Sequence, residues 1–218
     1  MRKDSQITRQ KIITTAERLL AEQGVDAVSL NEITRAAGQK NKSALSYHFG
    51  SKESLLLAII EKHEVAILEQ RNAYLDDLEQ RKALNLENVV QAFVYPLAAK
   101  LDDPDGGKYF LGILAQLASC PQMKLYTLRP DYITRDERVM KLFVQLTPNT
   151  PDELRLPRLL QISSLLFHSL SYLASIIDKR KNSRRLCQVF TDNLIDAIVA
   201  IVATEPSKTT QITLAEAS

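Results

Sequence analysis

An all-α protein is predicted, on three observations. Glycine and proline together supply 14 of 218 residues, too few to turn a β-chain at its usual spacing. Apolar residues recur three and four positions apart in one segment after another, the period of a helix with one buried face. No stretch alternates apolar and polar residues as a half-buried strand does. At 45% hydrophobic and 25% charged residues, the composition is that of an ordinary folded chain and excludes bulk disorder and low-complexity repeats.

The first periodic segment covers residues 8–23, with Ile12, Ala16, Leu19 and Leu20 on one face and Gly24 placed as its stop. Ser29 and Glu32 then form a capping box, in which each side chain reaches the other residue's backbone N–H. The second helix starts there, turns Leu30, Ile33, Ala36 and Ala37 inward, and ends at Gly38. Asn41 suits the N-cap of a third, short helix over 42–48, anchored by Leu45 and the following Phe49. After Gly50 and Ser51 a long helix runs over 52–81, carrying Leu55, Leu56, Ile59, Ile60, Ala66, Ile67, Tyr74 and Leu78.

Further helices are expected at 86–101, 107–119, 134–146, 157–179 and 184–203. Breakers separate them: DDPDGG at 102–107, Pro121, Pro130, TPNTP at 147–151, and Asn182 with Ser183. Pro96 and Pro157 predict a kink or break within their segments. The polar tail beyond Thr204 is expected to fray.

Charge is unevenly placed. Residues 1–62 hold ten Lys and Arg against seven Asp and Glu, while the rest of the chain is close to neutral. The basic quarter is where a polyanion would dock. There, two short helices precede a segment whose outward residues are Lys42, Ser43, Ser46, Tyr47 and His48. A polar-faced short helix held by a tight turn suits the DNA major groove, and these groups suit base edges and phosphates. Bland readings stand beside this one. Ser29 is first of all a helix cap, Tyr47 can pack on the first helix, and His48 can be a satisfied structural imidazole. Lys40 and Lys42 flank the reading segment and favour phosphate contact over plain solvation. Arg2, Lys3 and Arg9 suit a flexible arm.

Taken together, TTAERLL (14–20), Gly24, SLNEI (29–33), AAG (36–38) and SALSYHFGSKESL (43–55) resemble the N-terminal domain of the TetR family of bacterial transcriptional regulators. The resemblance covers residues 8–60. Ser46 departs from it, standing where the family often has Tyr, and 38–45 is one residue longer than the commonest spacing. The resemblance implies a three-helix helix-turn-helix head over 1–57, a larger helical ligand-binding and dimerisation domain over 58–204, and a flexible tail over 205–218. It places Ser29 and Lys52 on phosphates and Tyr47 and His48 in the reading helix. The DNA-facing set is then Ser29, Lys40, Asn41, Lys42, Ser43, Ser46, Tyr47, His48 and Lys52.

The last two long helices are apolar on more than one side. Leu166, Leu170, Leu173 and Ile177 of the first, with Leu194, Ile198 and Ile201 of the second, are expected at a homodimer interface, a fully buried monomer core being the alternative. Phe93, Phe110, Gln116, Met123, Tyr126, Phe143, Phe167, His168 and Tyr172 mix apolar and polar groups as a small-molecule pocket does, and as an ordinary core does. The expected partners are an operator duplex, a second copy of the chain and a small-molecule effector. The expected function is a ligand-responsive repressor on a palindromic operator. A DNA-binding dimer without small-molecule control is the runner-up.

An enzyme is the rival class. His48, His63 and His168 have no sequence neighbours suggesting a catalytic relay, and no glycine-rich phosphate cradle is present. Cys120 and Cys187 lack metal-ligand spacing, so no catalytic residue, metal or cofactor is expected. The uncharged run 159–177 is long enough for a bilayer, yet eight of its residues are polar, which predicts a helix buried in protein. With no apolar leader at the N-terminus, the cytoplasm is the expected compartment.

Overall fold

The computed structural model describes residues 3–39, 47–119, 128, 137–177 and 183–216, and within them the fold is helical with no strand. We number its helices α1 (Lys3–Gln23), α2 (Leu30–Ala36), α3 (Lys52–Gln80), α4 (Leu86–Ala98), α5 (Gly107–Ser119), α6 (Glu137–Leu146), α7 (Asp152–Ile177), α8 (Ser183–Ala203) and α9 (Lys208–Glu216).

Local chemistry sets most boundaries. α1 starts five residues before the expected position, because nothing between Lys3 and Thr8 breaks a helix. It ends at Gly24, which takes φ +108°. At α2 the capping box is present as read: the Glu32 carboxylate accepts the Ser29 N–H at 2.7 Å, and the Ser29 hydroxyl accepts the Glu32 N–H at 3.3 Å. Gly38, at φ +67°, closes α2, with the Gln39 N–H reaching back to the Thr34 carbonyl. Ser51 and Asn85 cap α3 and α4.

The two prolines act more mildly than expected. α4 passes through the buried Pro96 to Ala98 and only then tightens into a 3-10 turn, Ala99–Asp102. α7 begins at Asp152 and runs through Pro157 without ending there. The tail, expected to fray, forms α9, in which no residue is buried.

One continuous set of buried apolar side chains runs from the N-terminal helices into the body, from Ile12, Leu20 and Ile33 through Leu55 and Ile59 to Leu114 and Leu166. α5 lies between α1 and α7, α3 packs along α4, and α8 packs on α4 and α7. At 29 residues, α3 spans about 43 Å and ties the two ends together.

Two polar devices lock the N-terminal helices to the body. Gln116 of α5 accepts the Val25 N–H at 2.7 Å and donates to the Leu20 and Ala21 carbonyls at 3.2 and 3.3 Å, capping the end of α1. Gln116 was expected in a ligand pocket, and these bonds use its amide structurally instead. Deeper in, the buried Glu17 carboxylate accepts from Lys62 Nζ at 2.9 Å and meets His63 Nε2 at 2.5 Å. Lys62 also donates to the Asp105 carbonyl at 2.7 Å, and the His63 ring stacks on Phe110 with centroids 4.4 Å apart. A Cβ on Gly106 would lie 2.1 Å from Glu17 Oε2, so the 102–107 turn closes over this cluster only with glycine there.

α7 and α8 are long and apolar enough to cross a membrane, but α7 spends its apolar side on the core through Ile162, Leu166, Phe167, Leu170 and Leu173. That also corrects the dimer expectation. Leu166, Leu170, Leu173, Ile177, Leu194 and Ile198 are buried within the subunit, and Ile201 is half-buried. Leu156, Leu160, Tyr172 and Val189 are the large apolar residues these two helices expose. An apolar-all-round helix does not reveal from sequence which stripe its own chain takes.

Candidate nucleic-acid interface

The N-terminal helices present a small polar surface on a rigid base. Phe49 is 9% exposed and seated in the core, and the Arg9 guanidinium lies over its ring, 5.1 Å from the centroid. Arg9 is therefore part of α1 and fixes the base of the reading segment, rather than belonging to a loose arm. Directly before this anchor, Tyr47 is 81% exposed and His48 is half-buried. Their rings meet edge to face, with centroids 5.2 Å apart. Tyr47 and His48 are helical, and a phenol so exposed just before an anchored residue has most of its ring and its hydroxyl available to a partner.

Lys52 opens α3 close by. Its Nζ lies 3.4 Å from the Asp26 carbonyl, just before the Ser29 cap. Lys52 and Ser29 are thus brought to one side of the head. The Ser29 hydroxyl donates to Glu32 at 2.7 Å, so in the free protein its first role is the cap. The Ser29 N–H and hydroxyl hold the Glu32 carboxyl below its ordinary value, and Arg35 and Lys52 add to the effect. The Glu53 carboxyl is held low too, by its own backbone N–H and the Ser51 hydroxyl.

Five expected DNA contacts, Lys40, Asn41, Lys42, Ser43 and Ser46, lie outside the described residues. Two cations that no motif singled out join this region. Lys11 of α1 brings its Nζ to the surface at Gly38, and Arg35 is exposed in the last turn of α2. Arg35 stands three positions after Glu32 of the capping box, a same-face spacing visible in the sequence, whereas Lys11, two positions after Arg9, carries no such signal.

The expected pocket residues do not gather into one site. Met123 and Tyr126 lie outside the described residues. Phe93 and Phe143 are buried in edge contact, with the Arg71 guanidinium over Phe93. Phe110 is buried against His63, and Phe167 is buried in α7. His168 and Tyr172 are exposed. His168 does find a serine that its sequence neighbourhood did not suggest: Ser119 lies 2.9 Å from its Nε2, and its Nδ1 meets the Ser164 carbonyl at 2.8 Å. The third group is a neutral backbone carbonyl, so the trio orients the ring without the carboxylate of a hydrolytic relay. Among the described residues, no three His, Cys, Asp or Glu side chains are grouped to hold a metal ion.

Residues 12–59 match the family of bacterial regulatory proteins named tetR. The HTH-type transcriptional regulator AcrR of Shigella flexneri is 40% identical over 73 residues, which is 34% of each chain. The HTH-type transcriptional repressor AcnR of Corynebacterium glutamicum is 34% identical over 62 residues, 28% of this chain and 32% of that one. The matched part thus spans about a third of the length of these curated relatives. Over nearly the whole chain, the fold is similar to the crystal structure of NalD, the secondary repressor of the MexAB-OprM multidrug efflux pump in Pseudomonas aeruginosa. The TM-score is 0.54 at 19% identity, covering 90% of this chain and 96% of that one.

Proposed function

We propose that this chain is a member of the TetR family of bacterial regulatory proteins, a DNA-binding transcriptional repressor of the cytoplasm that works as a homodimer on a palindromic operator. The observation that carries this reading is Tyr47, helical and held 81% exposed two residues before Phe49, which is locked into the core. Lys52 supplies a point charge beside it, and the phosphate-facing set extends to Ser29, Lys40 and Lys42. Asn41, Ser43, Ser46 and His48 complete the expected reading surface. Lys11 and Arg35 add positive charge at its edges.

A two-fold dimer would set two such heads on half-sites about one DNA turn apart. We place the pairing surface on the outward sides of α7 and α8, around Leu160, Tyr172 and Val189, since their inward sides are occupied. A small-molecule effector in the body acts by preferring an arrangement of α3 in which the heads no longer fit successive grooves. The Glu17–Lys62–His63 cluster is the place where such a shift passes between α3 and α1. No step in this reading is catalytic.

Fragments selected from random DNA by the purified protein test the reading directly. We expect a palindromic consensus, weaker binding by Tyr47→Ala and Lys52→Ala, and a salt slope lower by about one unit for Lys52→Ala. Selection of no sequence, or full affinity in both variants, would sink it.

A further inference from the structure

A cavity of about 260 Å³ opens between α6, the 147–151 turn, the first half of α7 and the end of α8. Its wall is apolar and includes Met140, Phe143, Leu159 and Ile162. Among the described residues, Phe143 alone of those read from sequence as a pocket lies in it. Arg155 and Arg158 line it together with Thr147 and Thr150, and among the described residues no aspartate or glutamate does.

Arg158 is fixed in place. It donates from Nη1 to Thr150 Oγ1 at 3.2 Å and to the Val202 carbonyl at 3.0 Å, and from Nη2 to the Thr204 carbonyl. All three acceptors are neutral, and they take three of the five N–H donors, so the plane is set while the charge is not cancelled. Arg155 uses its Nε on Asp152 at 2.7 Å. That carboxylate is 92% exposed, where solvent screens the pair, and both Nη groups of Arg155 remain for a ligand. An apolar hollow beside a pre-oriented cation favours a molecule with an apolar body and one anionic end.

We propose that this cavity binds a small apolar monoanion, a medium-chain aliphatic or single-ring aromatic carboxylate. The carbon body lies among Met140, Phe143, Leu159 and Ile162, and the carboxylate sits on Arg155 and Arg158. The site stands on this geometry alone. Its part in control of DNA binding rests on the repressor reading above.

The experiment titrates the full-length chain with sodium octanoate and, as the charge-inverted probe, octylammonium chloride, by calorimetry and thermal unfolding. Saturable binding of one octanoate per chain with a raised Tm is expected, with octylammonium about tenfold weaker or worse. Arg155→Gln should weaken octanoate about tenfold with an unchanged circular dichroism spectrum. Leu159→Trp, which fills the hollow, should abolish binding while the protein still unfolds cooperatively. Arg158 is left intact because its loss would strand the carbonyls at the end of α8. Absence of saturable octanoate binding, equal binding of the two probes, or full binding by Leu159→Trp would overturn the site. With the selected operator in hand, octanoate should lower the operator affinity of the parent protein and not that of Leu159→Trp. Octanoate binding with operator affinity unmoved would keep the site and overturn its role in control. Failure to select any DNA would overturn the repressor reading and leave the titration result standing.

Discussion

Glu17 illustrates how much a single side chain can carry. It is a fully buried carboxylate tolerated only because Lys62 and His63 meet it. Removing one partner leaves charge in a low-dielectric site, so Lys62→Met should cost about 3 kcal/mol in urea unfolding. Burial alone would push the Lys62 ammonium down, but its hydrogen bonds to Glu17 and Asp105 outweigh that and hold it above the ordinary lysine value of 10.5. A group raised in the folded state stabilises fully below its unfolded pKa and loses that contribution as pH rises through the folded one. The gap between parent and Lys62→Met should therefore stay flat from about pH 7 to 9 and shrink only in strong alkali. A gap that already closes below pH 9 would contradict this assignment. The neighbouring Asp103 works with the opposite sign. Its hydrogen bond from Lys100, opposed by burial and aided by the Asp105 N–H, holds its carboxyl below 3.8, so its contribution is lost only as pH falls through that depressed value.

Among the helices, what could be read in advance is what is local. The Ser29–Glu32 capping box, the stop at Gly24 and the span of α5 depend on residues within a turn of one another, and each is found where the sequence puts it. The exposed Tyr47 and the anchored Phe49 were legible for the same reason. Gln116 was not. Its partners at Leu20, Ala21 and Val25 are more than 90 positions away, and nothing in the composition of α5 separates a capping amide from a ligand-binding one. The stripes of α7 failed likewise, since choosing the inward one requires knowing where α5 and α8 lie. Gln116→Ala leaves the Val25 N–H and two carbonyls without their amide and should cost about 1–3 kcal/mol. Hydrogen exchange of the Val25 amide should speed up in that variant well before exchange in α8 changes. An unchanged rate at Val25 would show that water replaces the amide fully.

At the scale of the whole molecule, the unbroken buried set from Ile12 to Leu170 makes the N-terminal helices and the body one cooperative unit. At fixed protein concentration, urea unfolding followed by the backbone amide NMR signals of α1 and by those of α5 and α7 should give coincident transitions. A separate early transition at the head would show that the core divides there. The glycine turn over Glu17 has a practical corollary. A fragment cut after residue 57 would keep Glu17 yet lack Lys62, His63 and the turn that roofs them. Transplanting this head onto a foreign body therefore demands that the graft bring its own counter-ion and lid, and chimaeras spliced at the apparent seam inherit an orphaned anion.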